Sequence, residues 1–241
     1  MISKGEPRLD GAREDSFARL VAFSVVFVAA VLLVSALFIG PASAASSDKL
    51  EEVLAGLTKA YEPVDSLQAN FVQTSSGMSY TTPMVQKGSV ALQRPAKMHW
   101  DFREPSRQQY ISDGSNYWAV DHGAKTATVY RAMDSMLQHY FGLLTGLQDV
   151  QKSFVVSLDS DGHARPGATT LKLIPRSDTS GMGTLFVHVS HESGLVEGVT
   201  NVTAFGDTTL LELVEITLNK TLAPTHFRWD KEEGFRLIEG G

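Results

Sequence analysis

Residues 94–105 read RPAKMHWDFREP. Ala96, Met98, Trp100 and Phe102 share one parity, and Lys97, His99, Asp101 and Arg103 share the other. Side chains of a β-strand point alternately to its two faces, so this spacing predicts a strand over 97–103 with one apolar and one wet side. Pro95 and Pro105 bound it, because proline has no N–H to give to a strand ladder. The apolar side carries a thioether, an indole and a phenyl ring within five residues. Such a face must be covered, either by the protein's own helices or by something the protein carries.

The two-residue period extends in both directions. Leu67, Ala69 and Phe71 alternate with Gln68 and Asn70, and further strands are expected over 88–93, 108–112, 116–120 and 126–130. Asp113-Gly114 and Asp121-His122-Gly123 supply hairpin-type turns between them. Later strands are expected over 154–158, 170–174, 184–190, 195–204, 210–218, 225–230 and 235–238. Two segments switch to helical spacing. Residues 46–61 place Leu50, Val53, Leu54, Leu57 and Tyr61 on one stripe after a Ser-Ser-Asp start, and Pro63 ends the helix. Residues 132–147 place Met133, Met136, Leu137, Tyr140, Phe141, Leu143 and Leu144 over more than one stripe, with Gly142 and Gly146 lowering intrinsic helix stability. Eleven or twelve strands with two or three helices and no βαβ alternation define an α+β fold: a large antiparallel sheet with helices gathered on one face.

The N-terminus is of another kind. Residues 1–19 hold Lys4, Arg8, Arg13 and Arg19, residues 20–39 are uncharged and apolar, and Gly40-Pro41 precedes Ala42-Ser43-Ala44. A basic start, an apolar run and an A-x-A site predict a signal peptide over 1–44, cleaved after Ala44. An uncharged run of twenty residues is also long enough to stay as an anchor. The mature part, 45–241, is one domain by size. The first nineteen residues carry as many acidic as basic groups, so the mature chain keeps the net charge of −6. That balance argues against a nucleic-acid partner. The chain has no cysteine, which leaves no site for acylation beside a signal peptide.

Motifs for chemistry are missing. The chain has no G-x-x-x-x-G-K-[ST], no strand-linked G-x-G-x-x-G, no H-E-x-x-H and no G-x-S-x-G. Asp159-Ser160-Asp161-Gly162 begins like a calcium loop, but Thr170 stands where the ligating glutamate would be, so it reads as a turn. His188 and His191 fall on opposite faces of a strand and read as surface histidines. No enzyme activity, cofactor or metal is expected. What remains is apolar material: Trp100, Trp118, Trp229, Phe71, Phe102 and Phe227 all fall in strand candidates. Met98, Met133 and Met136 fall where sheet and middle helix are expected to meet. Methionine adapts to ligands of varied shape, so the pattern suggests a hydrophobic cavity under a helix suited to opening.

The run Leu67-Gln68-Ala69-Asn70-Phe71-Val72-Gln73, then Gly88, Arg94-Pro95, Trp100 and Glu104-Pro105, resembles the LolA family. So do Ser112-Asp113-Gly114 with Trp118, Val120-Asp121, Leu173-Ile174-Pro175, Phe227 and Gly234-Phe235-Arg236-Leu237-Ile238. The likeness runs over residues 48–239. It implies a large curved antiparallel sheet forming an incomplete, open-sided β-barrel capped by a helical lid. It implies a periplasmic carrier that takes acylated lipoproteins from an inner-membrane ABC transporter to an outer-membrane acceptor lipoprotein, as a monomer. The acyl-chain cavity would draw on Phe71, Met98, Trp100, Phe102, Trp118, Met133, Met136, Leu137, Phe141, Leu144, Phe227 and Trp229. Arg94 would be the lid gate, and Met98 departs from the bulky aromatic often found at its position. The alternative is a lipid- or lipoprotein-sensing regulatory module of similar fold, retained on the inner membrane by its N-terminal segment.

Overall fold

The computed structural model describes residues 42–131, 135–146, 150–177 and 182–240. The predicted signal peptide therefore lies outside the described residues up to Pro41, and Ala42–Ala44 begin the first described helix. Residues Lys49–Gly241 form one compact unit.

That unit is built on one twelve-stranded sheet. In chain order the strands are β1 (Ser66–Ser76), β2 (Met84–Gln93), β3 (Lys97–Glu104), β4 (Gln108–Asp113), β5 (Tyr117–Asp121), β6 (Thr126–Tyr130), β7 (Phe154–Leu158), β8 (Ala168–Pro175), β9 (Thr184–Ser190), β10 (Val196–Val202), β11 (Thr208–Leu218) and β12 (Arg236–Glu239). Their spatial order is β12-β6-β5-β4-β3-β2-β1-β11-β10-β9-β8-β7. The sheet is open, with β12 and β7 as its edges. Two meanders, β1–β6 and β7–β11, meet where β1 pairs antiparallel with β11. All neighbours are antiparallel except β12, which runs parallel to β6. Register shifts interrupt β1–β11 near Asn70, β2–β3 near Gly88 and β9–β10 near Gly198. An extra residue on one strand bends it and raises the local twist.

The opening stretch behaves as its alternation requires. β3 runs between the two prolines, and the peptide bonds before both Pro95 and Pro105 are cis. Trp100 and Met98 are buried on one face, and His99 and Arg103 lie on the other. Among the described residues three helices accompany the sheet: α1 (Ala42–Tyr61), α2 (Ser135–Leu144) and α3 (Val150–Ser153). From α1, Leu57 and Tyr61 are buried, and Leu50, Val53 and Leu54 pack beside them. Leu143 and Leu144 of α2 enter the same core as Phe71, Met98 and Trp100. The helices thus cover the apolar face of the sheet and remove it from water, at roughly 1.5–3 kcal/mol for each large side chain fully buried.

Two expectations are corrected. The segment 225–230 is not a strand. Pro224–Phe227 forms a 3₁₀ turn, with Pro224 fixing its first φ, and the chain leaves it extended at Arg228. This turn lies against β3 and β4 on the face opposite the helices, where His99 Nδ1 lies 2.9 Å from the carbonyl oxygen of His226. His188 is not a surface residue but is buried in β9. The β7–β8 connection folds back over that part of the sheet: His163 stacks on Phe186 at 3.7 Å, and Arg165 pairs with Glu212 of β11.

Candidate functional site

The helix-covered face carries a band of aromatic rings from five strands. Phe71 of β1 stands edge-on to Trp100 and Phe102 of β3, with centroids 5.6 and 4.9 Å away. Phe102 meets Tyr110 of β4 at 6.0 Å, Tyr110 stacks with Tyr117 of β5 at 6.3 Å, and Tyr117 meets Tyr130 of β6 at 5.8 Å. Edge-on and offset contacts of this kind suit the ring quadrupoles. The band depends on one glycine. Gly88 pairs with Phe71 across β1 and β2, and a Cβ there would lie 2.8 Å from Phe71 Cζ and collide with the Asp101 backbone.

Among the predicted cavity residues, Phe71, Met98, Trp100, Phe102 and Leu144 are brought together and buried, and Phe141 packs partly buried against them. Met136 and Leu137 fall within α2. Met133 lies outside the described residues. Trp118, Phe227 and Trp229 are not on this face. Trp100 pairs with Tyr110 and Tyr110 with Ala119, so Trp118 faces the opposite way. It packs with Ile111, Val120, Ala127, Trp229 and Phe235 in a separate cluster. Phe227 sits in the 3₁₀ turn, with the Lys97 ammonium 6.0 Å from its ring centre. Tyr110, Tyr117 and Tyr130 belong to the band but were not singled out from sequence. Carrying the register from Trp100 across the β3–β4, β4–β5 and β5–β6 connections places them on its face.

Arg94 lies just beyond the end of β2 and donates through Nη2 to the Thr145 carbonyl oxygen at 2.6 Å. Thr145 is the first residue after α2. Its N–H and hydroxyl both donate to the Phe141 carbonyl, at 3.0 and 2.8 Å. Gly146 follows with φ +111°, and a Cβ on it would lie 2.5 Å from Tyr61 Cβ. The end of α2 is thus held to the sheet by Arg94 and seated on α1 at Tyr61. The Tyr61 hydroxyl accepts from the Val196 N–H at 3.1 Å. Burial pushes its pKa up to about 12, against the opposing pull of that hydrogen bond, so the phenol stays neutral.

The wet face of β1–β3 carries a groove of about 350 Å³, lined among others by Asn70, His99, Asp101, Arg103, Lys220 and His226. Burial is the first cause that lowers the pKa of both His99 and His226. Asp101 is buried beneath Arg103, whose Nε donates to it at 2.9 Å. The lining is charged and hydrogen-bonded, unsuited to an acyl chain. Among the described residues, no group of three or more His, Asp or Glu side chains is placed to hold a metal.

The fold and site define an open antiparallel sheet that keeps an aromatic band beneath a short, tethered helix. The family described as outer membrane lipoprotein carrier protein LolA matches residues 62–230, and the chain belongs to that family. It is 28% identical over 174 residues to an outer-membrane lipoprotein carrier protein of Methylococcus capsulatus, covering 72% of this chain and 81% of the relative. It is 28% identical over 206 residues to one of Bordetella avium, covering 86% and 94%. A crystal structure of an uncharacterized conserved protein from Thermus thermophilus aligns over 79% of this chain and 98% of its own, at 13% identity and a TM-score of 0.49.

Proposed function

We propose that this protein is a periplasmic carrier that binds the acyl chains of lipoproteins between the aromatic band and α2 and moves them from the inner to the outer membrane. Loading from an inner-membrane ABC transporter and delivery to an outer-membrane acceptor lipoprotein complete the cycle. The carrier domain is 45–241, released as a monomer after cleavage behind Ala44. Membership of the lipoprotein carrier family supports the cargo class. The observation that carries the reading is the Arg94–Thr145 hydrogen bond, which fastens the end of α2 to the sheet whose apolar face the helix covers.

The described side chains under α2 are already buried against one another, so cargo enters by displacing the helix. An acyl methylene withdrawn from water gains about 0.8 kcal/mol, and a whole chain on the order of ten kcal/mol. Reseating α2 buries Leu143 and Leu144 again and recovers part of that. Empty-closed and loaded-open states compete for the same apolar face, and the difference between them sets retention. Phe71, Met98, Trp100, Phe102, Phe141 and Leu144 are the residues that would contact cargo. A carrier of this kind needs no catalytic group, and none is proposed.

Mass spectrometry of molecules co-purified with the exported protein tests the reading. Acylated lipoproteins are expected, bound one to one and lost when Trp100 is replaced by a smaller residue that still permits folding. Recovery of free fatty acids or phospholipids alone, with no lipoprotein, would overturn the cargo assignment.

A further inference from the structure

The largest exposed apolar side chains do not lie near the aromatic band. Met78 is 94% exposed and Phe205 is 85% exposed, far beyond any other large hydrophobic side chain described. Met78 tips the β1–β2 hairpin and Phe205 tips the β10–β11 hairpin. Met84 and Val85, at the start of β2, are exposed as well.

The two tips are built as one piece. Asp207 accepts from the Ser79 N–H at 3.1 Å and from the Ser79 hydroxyl through its other oxygen. The Asp207 N–H donates to Thr203 Oγ1 at 3.1 Å, and the Thr203 N–H donates to the Asp207 carbonyl at 2.9 Å. Ser75 and Thr209 hydroxyls join the strands behind them at 3.1 Å. Gly77, at φ +135°, passes so close to Asp207 that a Cβ would collide with it. A cross-braced frame therefore holds a thioether and a phenyl ring in water, although strand pairing on both hairpins is complete without them.

We propose that these joined tips form an apolar foot that inserts into the headgroup layer of a lipid bilayer. Charge decides the occupant. Residues 74–86 and 203–206 contain no charged side chain. Among the described residues of the two tips Asp207 is the one acid, and Ser79 engages both of its oxygens. The whole chain carries −6, so anionic headgroups repel its body, and the uncharged tip is where it can approach them. Interfaces with proteins carry a polar rim that charged residues share. The tip sequences instead set Met78, Tyr80, Met84, Val85 and Phe205 among uncharged Ser and Thr residues, and Tyr80 is of a type enriched at the membrane–water interface. Two such side chains give weak, reversible attachment, which suits a carrier that touches a membrane and leaves it. The purpose rests on the carrier reading, but the contact itself is testable without cargo.

The chain has no cysteine, so a single one introduced at a chosen site reports from that site alone. Met78→Cys, Phe205→Cys and, as control, Val155→Cys on the edge strand β7 are made in the full chain as exported, without cargo, and labelled with an environment-sensitive nitrobenzoxadiazole dye. Phosphatidylcholine–phosphatidylethanolamine vesicles are then added. The expected result is a blue-shifted, brighter emission at positions 78 and 205 and none at 155. Adding Phe205→Ser to the chain labelled at 78 is expected to weaken vesicle binding about tenfold or more. Unchanged emission at 78 and 205, an equal change at 155, or a change that appears only with vesicles containing membrane proteins would each overturn the proposal. The last outcome would assign the tip to a protein partner. Normal loading of lipoproteins with no dye response would leave the carrier reading standing and remove the foot.

Discussion

The Arg94 guanidinium donates to the Thr145 carbonyl at 2.6 Å, so a residue at the end of β2 holds the residue that ends α2. Fifty-one residues separate them in sequence. In the proposed carrier cycle these are the two parts that separate when cargo reaches the aromatic band. A charged hydrogen bond of this type contributes about 1.5–3 kcal/mol to the state that contains it. In the proposed cycle a bias of that size would shift the closed–open balance by about ten- to a hundredfold without fixing it.

Replacing Arg94 by Leu is expected to remove this bias. The open state gains weight, so cargo loads and is held about tenfold or more tightly, and handover to an acceptor slows. Transfer of a labelled lipoprotein from the loaded variant measures it. Wild-type handover would take Arg94 out of the gate.

Gly146→Ala is expected to act on the same seat by another route. Its φ of +111° strains any L side chain, and the methyl group would press on Tyr61. A cost of about 1–3 kcal/mol is expected in urea unfolding, together with greater binding of a hydrophobic dye to the empty protein. Combined with Arg94→Leu, the two losses are expected to add to less than their sum, since both unseat the same segment. Full additivity would mean that the two contacts guard different states.

The floor of the site should be less forgiving than its latch. Phe71→Ala empties the space between Trp100 and Phe102 and is expected to cost about 3–5 kcal/mol. Gly88→Ala drives a methyl group into Phe71 and the Asp101 backbone, at about 1–3 kcal/mol or more. Equilibrium denaturation compares both with wild type. A Gly88→Ala variant of unaltered stability would show that the aromatic band tolerates displacement.

The limits of legibility follow from what each pattern encodes. Alternation around Trp100 identified β3, and the same period located nearly every strand, because one buried face leaves a clear signal. Trp118 misled because β5 is apolar on both sides: Tyr117 joins the aromatic band while Trp118 packs behind it with Trp229. Parity orders faces within a strand, and only register relates them between strands. Residues 225–230 alternate like a strand, yet the chain there crosses the back of the sheet on its way to pair with β6. His188 looked like a surface residue because its cover, the β7–β8 connection, contributes no periodic pattern. Arg94 is legible only through family resemblance, since nothing in the local sequence indicates a partner 51 residues away.

His188 gives the fold a pH dependence that can be isolated. Its Nδ1 lies 3.0 Å from the Thr170 hydroxyl and its Nε2 lies 2.9 Å from the Thr200 hydroxyl, inside the sheet's covered back. Burial is the first cause that lowers its pKa from 6.5 to about 4, and the nearby Arg165 adds to it. Between those values the unfolded chain takes up a proton that the folded chain refuses. The stabilisation is therefore complete above pH 6.5 and is lost as pH falls toward 4, amounting to roughly 3 kcal/mol over that window at most. His99 and His226 are shifted in the same direction and add to the slope. His188→Gln can keep one of the hydroxyl hydrogen bonds but cannot titrate. Urea unfolding at a series of pH values from 7.5 to about 4 is expected to show a shallower loss of stability for this variant than for the wild type. Parallel curves for the two proteins would mean that His188 takes up its proton without unfolding its surroundings.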